Sequence, residues 1–131
     1  MQQNVQDFRL IKNKGKIITA TDFNALHKQD LYFLQTAFAK ATDNRRVVVT
    51  HHVPTFMNYL EHYKNSNING AFAVELFDFI ERCNAACWIY GHSHWNTSRF
   101  QIGNTTMLTN QLGYIHHSEN KLFNHSAVME I

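Results

Sequence analysis

The chain has 131 residues, enough for one domain or part of one. Hydrophobic residues make up 44% and charged residues 17%, an ordinary globular balance that excludes a disordered or fibrous class. The net charge is +2 with no long basic run, so no nucleic-acid partner is indicated.

No apolar stretch reaches membrane-spanning length. The polar start MQQNVQDFRL lacks the apolar segment of a signal peptide, so the expected location is cytoplasmic. Cys83 and Cys87 are too few for a disulfide scaffold and lack further ligands for a zinc site. Two reduced, partly buried thiols are expected. Nine histidines, by contrast, are many for this length.

In chain order, FRLIKNKGKIITA predicts two short strands around a turn at Asn13, Lys14 and Gly15. TDFNA then reads as a loop. Leu31, Leu34, Phe38 and Ala41 recur at spacings of three and four, which predicts a helix over 28–41. RRVVVT is a short β-branched run, a buried strand ending at His51. Residues 53–70 hold the lone proline and many asparagines, as a long loop with a single helical turn would. AFAVELFDFIERC returns to helical spacing, with Phe72, Leu76, Phe79, Ile80 and Cys83 on one side.

ACWIYG is the next predicted strand, and TSRFQIG and TTMLTN flank Gly103 and Asn104 as a hairpin. QLGYIHHSENKLFNH is loop-like, and SAVMEI reads as a final strand. The aromatic set Tyr32, Phe33, Phe38, Phe72, Phe77 and Phe79 reads as core, or in part as cover for a face that an absent half would bury. Helices alternating with strands, followed by a run of strands, give an α/β layered arrangement with a mixed sheet and flanking helices.

Two strand ends carry the chemistry: VVVTHHVPT, residues 47–55, and WIYGHSHWN, residues 88–96. In open α/β sheets functional groups gather where strands end and loops begin. If these two strands are neighbours, His51, His92 and His94 converge. Each neutral imidazole offers a lone pair to a divalent cation. Within a continuing strand, residues two apart share a face, so His92 and His94 would aim together; past the strand end they could reach two different positions. Gly91 would let the backbone turn and come close. Ser93 is beside His92 but would point away from it, against a serine-hydrolase arrangement. His52 would face away from His51, in a supporting role. His27, His62, His116 and His117 read as solvated.

VVTHHVP followed by WIYGHSH resembles the last two motifs of the calcineurin-like metallophosphoesterases, which include purple acid phosphatases and cyclic-nucleotide phosphodiesterases. The V-x-x-H motif is matched by Val48 to His51, and G-H-x-H by Gly91 to His94. The likeness runs from about residue 16 onward. It implies the C-terminal half of a four-layer αββα sandwich, with 1–131 a single partial domain. It also implies hydrolysis of a phosphomonoester or phosphodiester by a water activated between two cations: Mn, Fe, Zn or Ni. His51 and His92 would serve one cation and His94 the other. Asn96 and Trp95 would line the rim, or belong to a plain loop. Asn110, Gly113 and Tyr114 match a stretch near the site in similar proteins, or form an ordinary turn.

The family's earlier motifs, D-x-H, G-D-x-x-D/Y and G-N-H-D/E, are absent; Asn124-His125 follows Phe123 and falls in the wrong order. The bridging carboxylate is thus missing, and the three imidazoles should hold one cation at most. The expected partners are a phosphate-ester substrate and an N-terminal half or another chain. The alternative is an inert remnant or assembly module that pairs with another chain and binds at most one metal.

Overall fold

The computed structural model describes residues 5–40 and 42–131, with nothing stated of the His62 side chain. It is a mixed α/β fold whose described residues fall into two compact units: the chain to Asp43 with Ser66–Ala71, and Asn44–Asn65 with Phe72–Ile131.

The first unit opens with helix α1 (Asp7–Leu10) and a two-stranded hairpin, β1 (Lys12–Asn13) and β2 (Lys16–Ile17). The expected hairpin is therefore present, though 7–10 is helical rather than extended. Lys14 and Gly15 both have positive φ, the conformation a two-residue turn needs to match strand twist.

Helix α2 (Ala20–Ala39) starts eight residues before 28, which corrects the loop expected at TDFNA. The cause is a capping box. Asp22 N donates to Thr19 Oγ1 at 3.2 Å, while the Asp22 carboxylate accepts from Thr19 N at 2.9 Å. Phe23 meets Phe8 edge to face, with ring centres 5.9 Å apart. Leu31, Leu34 and Phe38 are half-buried, but Tyr32 and Phe33 are each 70% exposed and lie outside any core. Ala41 lies outside the described residues.

In the second unit β3 (Val47–Val49) leads to α3 (Glu61–Lys64), a helical turn within the expected long loop. Then come α4 (Phe77–Cys83), β4 (Cys87–Ile89), β5 (Phe100–Ile102) and β6 (Thr105–Leu108). They form one four-stranded sheet in the order β3-β4-β6-β5. β3, β4 and β6 run parallel, with Val48, Trp88 and Met107 in register, and β5 is antiparallel to β6. Gly103 turns the β5–β6 hairpin at φ +56°, where a Cβ would come within 2.9 Å of Glu81 O.

Helix α4 is shorter than expected. Residues 72–76 are not helical: Val53 N donates to Phe72 O and Val74 N to Val53 O, both at 3.0 Å, around a parallel bridge between Val53 and Ala73. The carboxylate of Glu75 takes the backbone N–H of both Phe56 and Phe77, fixing where the helix begins. From there Ile80 and Cys83 are buried and Phe79 meets Trp88 edge to face. Trp88, Ile80 and Met107 have no exposed surface. Cys83 and Cys87 are free, buried thiols, and burial raises the Cys87 thiol above its usual range. The tail SAVMEI is not a strand. It has no pairing partner among the described residues, and Val128 is 89% exposed. None of the described helices is long and apolar enough to cross a membrane.

Candidate metal site

Three parallel strands deliver their carboxyl ends to one edge of the sheet. His51 and His52 follow β3, Gly91 to His94 follow β4, and Asn110 and Gln111 follow β6. Pairing continues past the strands. Thr50 N donates to Ile89 O at 3.0 Å, Tyr90 N to Leu108 O at 3.1 Å, and Gly91 N to His51 O at 3.1 Å. The loops that bear the histidines are thereby held side by side.

The G-H-S-H segment does not continue as a strand. Ser93 N donates to Gly91 O at 2.8 Å, closing a three-residue turn around His92, whose φ is +68°. His94 is also left-handed, at φ +53°. Such a backbone costs a non-glycine residue about 1–2 kcal/mol, and the surrounding hydrogen bonds must hold it. The strain falls on the two histidines and not on Gly91. A Cβ on Gly91 would meet His51 O at 3.6 Å, an ordinary contact, so the expected need for glycine there is not steric.

His92 Nδ1 lies 2.9 Å from His51 Nε2, so the two rings share one proton. The ring of Phe72 stacks on His92 at 4.6 Å, nearly parallel at 26°. His52 does not point away, as strand alternation would have it. Its ring centre is 5.2 Å from that of His51 and 4.9 Å from that of His92. One nitrogen from each of the three lies within 4.8 Å of the others, close enough for a common cation. The alternation fails because β3 ends at Val49. Beyond it, Thr50 Oγ1 donates back to His52 O at 3.0 Å.

His94 stands apart from this trio. Its Nδ1 lies 3.2 Å from the Glu119 carboxylate, its backbone N–H goes to Gln111 Oε1 at 2.8 Å, and the Tyr114 ring packs edge-on at 4.6 Å. With Nδ1–H donated to the carboxylate, Nε2 carries the lone pair, the arrangement in which a ligating imidazole is usually held. Glu119 also accepts the Tyr114 N–H. Gly113 makes this possible, since at φ +62° a Cβ would fall 2.5 Å from Glu119 Cβ.

Gln111 anchors the whole segment. Besides its bond to His94, its Nε2 donates to Ser93 Oγ at 3.1 Å and Trp95 O at 2.8 Å. Asn96 is buried and exchanges two hydrogen bonds with the Gln111 backbone, so it braces the loop, and it also lines the cleft beside Trp95. Asn110 is exposed and pairs with the backbone of Asn124. His116 and His117 are exposed as expected, and His27 is half-buried. Beyond Trp95, a cleft of about 670 Å³ is lined by Tyr59, Lys64, Trp95, Arg99 and Phe100 among others.

Sequence reasoning missed Phe72, Gln111 and Glu119. Gln111 was within reach of the strand-end rule, since it follows β6 as the histidines follow β3 and β4. Glu119 and Phe72 arrive by loop contacts that no periodicity announces.

Burial pushes His92 down to about 4, aided by the neighbouring rings of His52, His51 and His94. It is therefore neutral, with a lone pair available, across the physiological range. The backbone N–H of Tyr114, and then His94, hold the Glu119 carboxyl below its usual range. A pH dependence follows from His92. An unfolded histidine takes its proton near pH 6.5, at about which the unfolded chain begins to bind more protons than the folded one. The His92 contribution to stability is thus full above about pH 6.5 and is lost as pH falls toward about 4. Thermal unfolding of the metal-free chain should show Tm falling through that window, with a flatter profile in His92→Gln. An equal slope in both proteins would refute the assignment.

No family model and no solved structure matches the chain. It is 32% identical over 142 aligned positions to an uncharacterized protein, L509, of Acanthamoeba polyphaga mimivirus. The match takes in all of this chain and 49% of that protein, so the chain spans about half the length of this relative.

Proposed function

We propose that this chain carries the histidine-bearing half of a metal-dependent phosphoesterase, built as the C-terminal half of a four-layer metallophosphoesterase sandwich. The observation that carries the reading is the meeting of two histidine loops, from adjacent parallel strands, at a 2.9 Å contact between His51 and His92. The donor chemistry fits a divalent cation of the Mn, Fe, Zn or Ni kind, because neutral imidazoles suit such ions. When bound, a pair of such cations supplies an activated water and stabilises charge on the phosphoryl oxygens.

The chain's own residues have distinct parts in this reading. His51 and His92 hold one cation and His94 faces the other, with Glu119 fixing the His94 tautomer. Phe72 walls one face of His92 and keeps water from it. The cleft beside Trp95 offers aromatic surface and the cation of Arg99 to the ester's leaving group and its charge, while Lys64 there is paired with Glu61. The bridging carboxylate has to come from elsewhere, since the close histidine group has none among the described residues. In this reading the other half of a protein such as the mimivirus relative provides it.

A second reading, an inert module that pairs with another chain, is favoured by β3. That strand is at the sheet's edge, with Val49 70% exposed. The two readings part in an assay of bis(p-nitrophenyl) phosphate hydrolysis with Mn, Fe, Zn or Ni. The chain alone should show no turnover. The full-length mimivirus relative should turn over, and should lose activity when the residue aligned with His92 becomes alanine. No turnover by the full-length relative with any of the four metals would overturn the hydrolase reading in favour of the inert module. Strong turnover by the chain alone would overturn the half-site.

A further inference from the structure

We propose that in this chain one divalent cation is held by His51, His52 and His92, so that His52, and not His94, is its third protein ligand. The inference rests on the reading of the histidine loops as a metal site and goes beyond it, since the resemblance assigns His52 no ligand role.

The local backbone is built for this. Trp88 Nε1 donates to Thr50 Oγ1 at 3.0 Å, and Thr50 Oγ1 donates to His52 O at 3.0 Å. This relay starts from a side chain with no exposed surface, so the turn after β3 is tied to the core of the sheet. The turn brings the rings of two sequence neighbours to the same side, where an extended strand would separate them.

The distances suit a first-row ion with small adjustments. Two nitrogens on a tetrahedral zinc-like ion, each at about 2.0–2.1 Å from it, lie about 3.3 Å apart. His51 and His92 already bring two nitrogens to 2.9 Å, and one nitrogen from each of the three rings lies within 4.8 Å of the other two. Side-chain rotation of His51, which is exposed, and of the half-buried His52 can close that gap. The proton shared by His51 and His92 moves to the outer nitrogen of one ring as the cation takes both inner lone pairs.

His94 does not belong to this set. Its backbone is fixed by Gln111 and its ring by Glu119 and Tyr114. Three imidazoles on one ion leave a position open for water or for a carboxylate from another chain. An all-nitrogen set selects Zn, Co, Ni or Cu over Mg or Ca, which take oxygen ligands.

Cobalt(II) titration of the metal-free chain, followed by visible absorption and calorimetry, tests this. The wild type should bind one equivalent with the intense absorption of a four-coordinate ion. His51→Ala, His52→Ala and His92→Ala should each weaken binding by about 10- to 100-fold or more. His94→Ala should bind as the wild type does. His52→Gln, which keeps the side chain's bulk, guards against a folding artefact and should weaken binding as His52→Ala does. Cobalt binding lost in His94→Ala but intact in both His52 variants would overturn the inference while leaving the metal reading standing. No cobalt binding by the folded wild type would overturn both.

Discussion

Trp88→Ala is expected to cost about 3–5 kcal/mol of folding free energy, the usual range for emptying a fully buried aromatic site. Small domains hold about 5–15 kcal/mol in all, so this one change removes a large share. Trp88 sits at the centre of β4, in register with Val48 on one side and Met107 on the other, and has no exposed surface. Truncation leaves a cavity against Phe79 and deprives Thr50 of its indole donor. The damage reaches the site, because Thr50 sets the turn that carries His51 and His52. Denaturant unfolding, followed through the remaining Trp95, measures the loss. Trp88→Phe should cost less, since it keeps most of the apolar surface and gives up only the hydrogen bond. A Trp88→Ala protein within about 1 kcal/mol of wild type would contradict this account of the core.

Much of the sheet was legible in the sequence. The β-branched run VVV, the segment CWI and the Gly103-Asn104 turn each announce their state locally, and they became β3, β4 and the β5–β6 hairpin. The errors have local causes too. Thr19 and Asp22 form a capping box that starts α2 early, a signal TATD carries that outweighs the loop-like composition of TDFNA. FAVEL has helical spacing, yet backbone bonding to Val53 keeps it out of the helix, a tertiary effect that propensity does not contain. SAVMEI has strand composition and finds no partner strand among the described residues. Composition alone places Tyr32 and Phe33 with the core, though the α2 stripe through Leu31, Leu34 and Phe38 turns them outward.

The site shows the same division. That two histidine loops would meet could be read from their positions after two predicted strands. Which imidazoles meet could not. Strand alternation set His52 aside, and it failed because the strand ends two residues before His51. Glu119 lies 25 residues beyond His94 in sequence, and the left-handed Gly113 brings it back to that ring. Polar loop contacts of this kind depend on backbone geometry that composition does not encode.

The central claim, that these histidines are metal ligands, has a direct measurement. His92 is the ring most committed to the role. It is half-buried, it touches His51 at 2.9 Å, and its low proton affinity, near pH 4, leaves its lone pair free at neutral pH. Replacing it with alanine removes a donor from the centre of the group, and the remaining imidazoles no longer close around one ion. The effect on affinity should be at least the 10- to 100-fold typical of disturbing a metal site's supporting residues, so roughly 100-fold is expected. The measurement is the zinc content of the purified chain after equilibration with zinc and dialysis at neutral pH. One zinc per chain in the wild type and none in a folded His92→Ala is the predicted result. A wild-type chain that emerges folded and free of metal would contradict the claim.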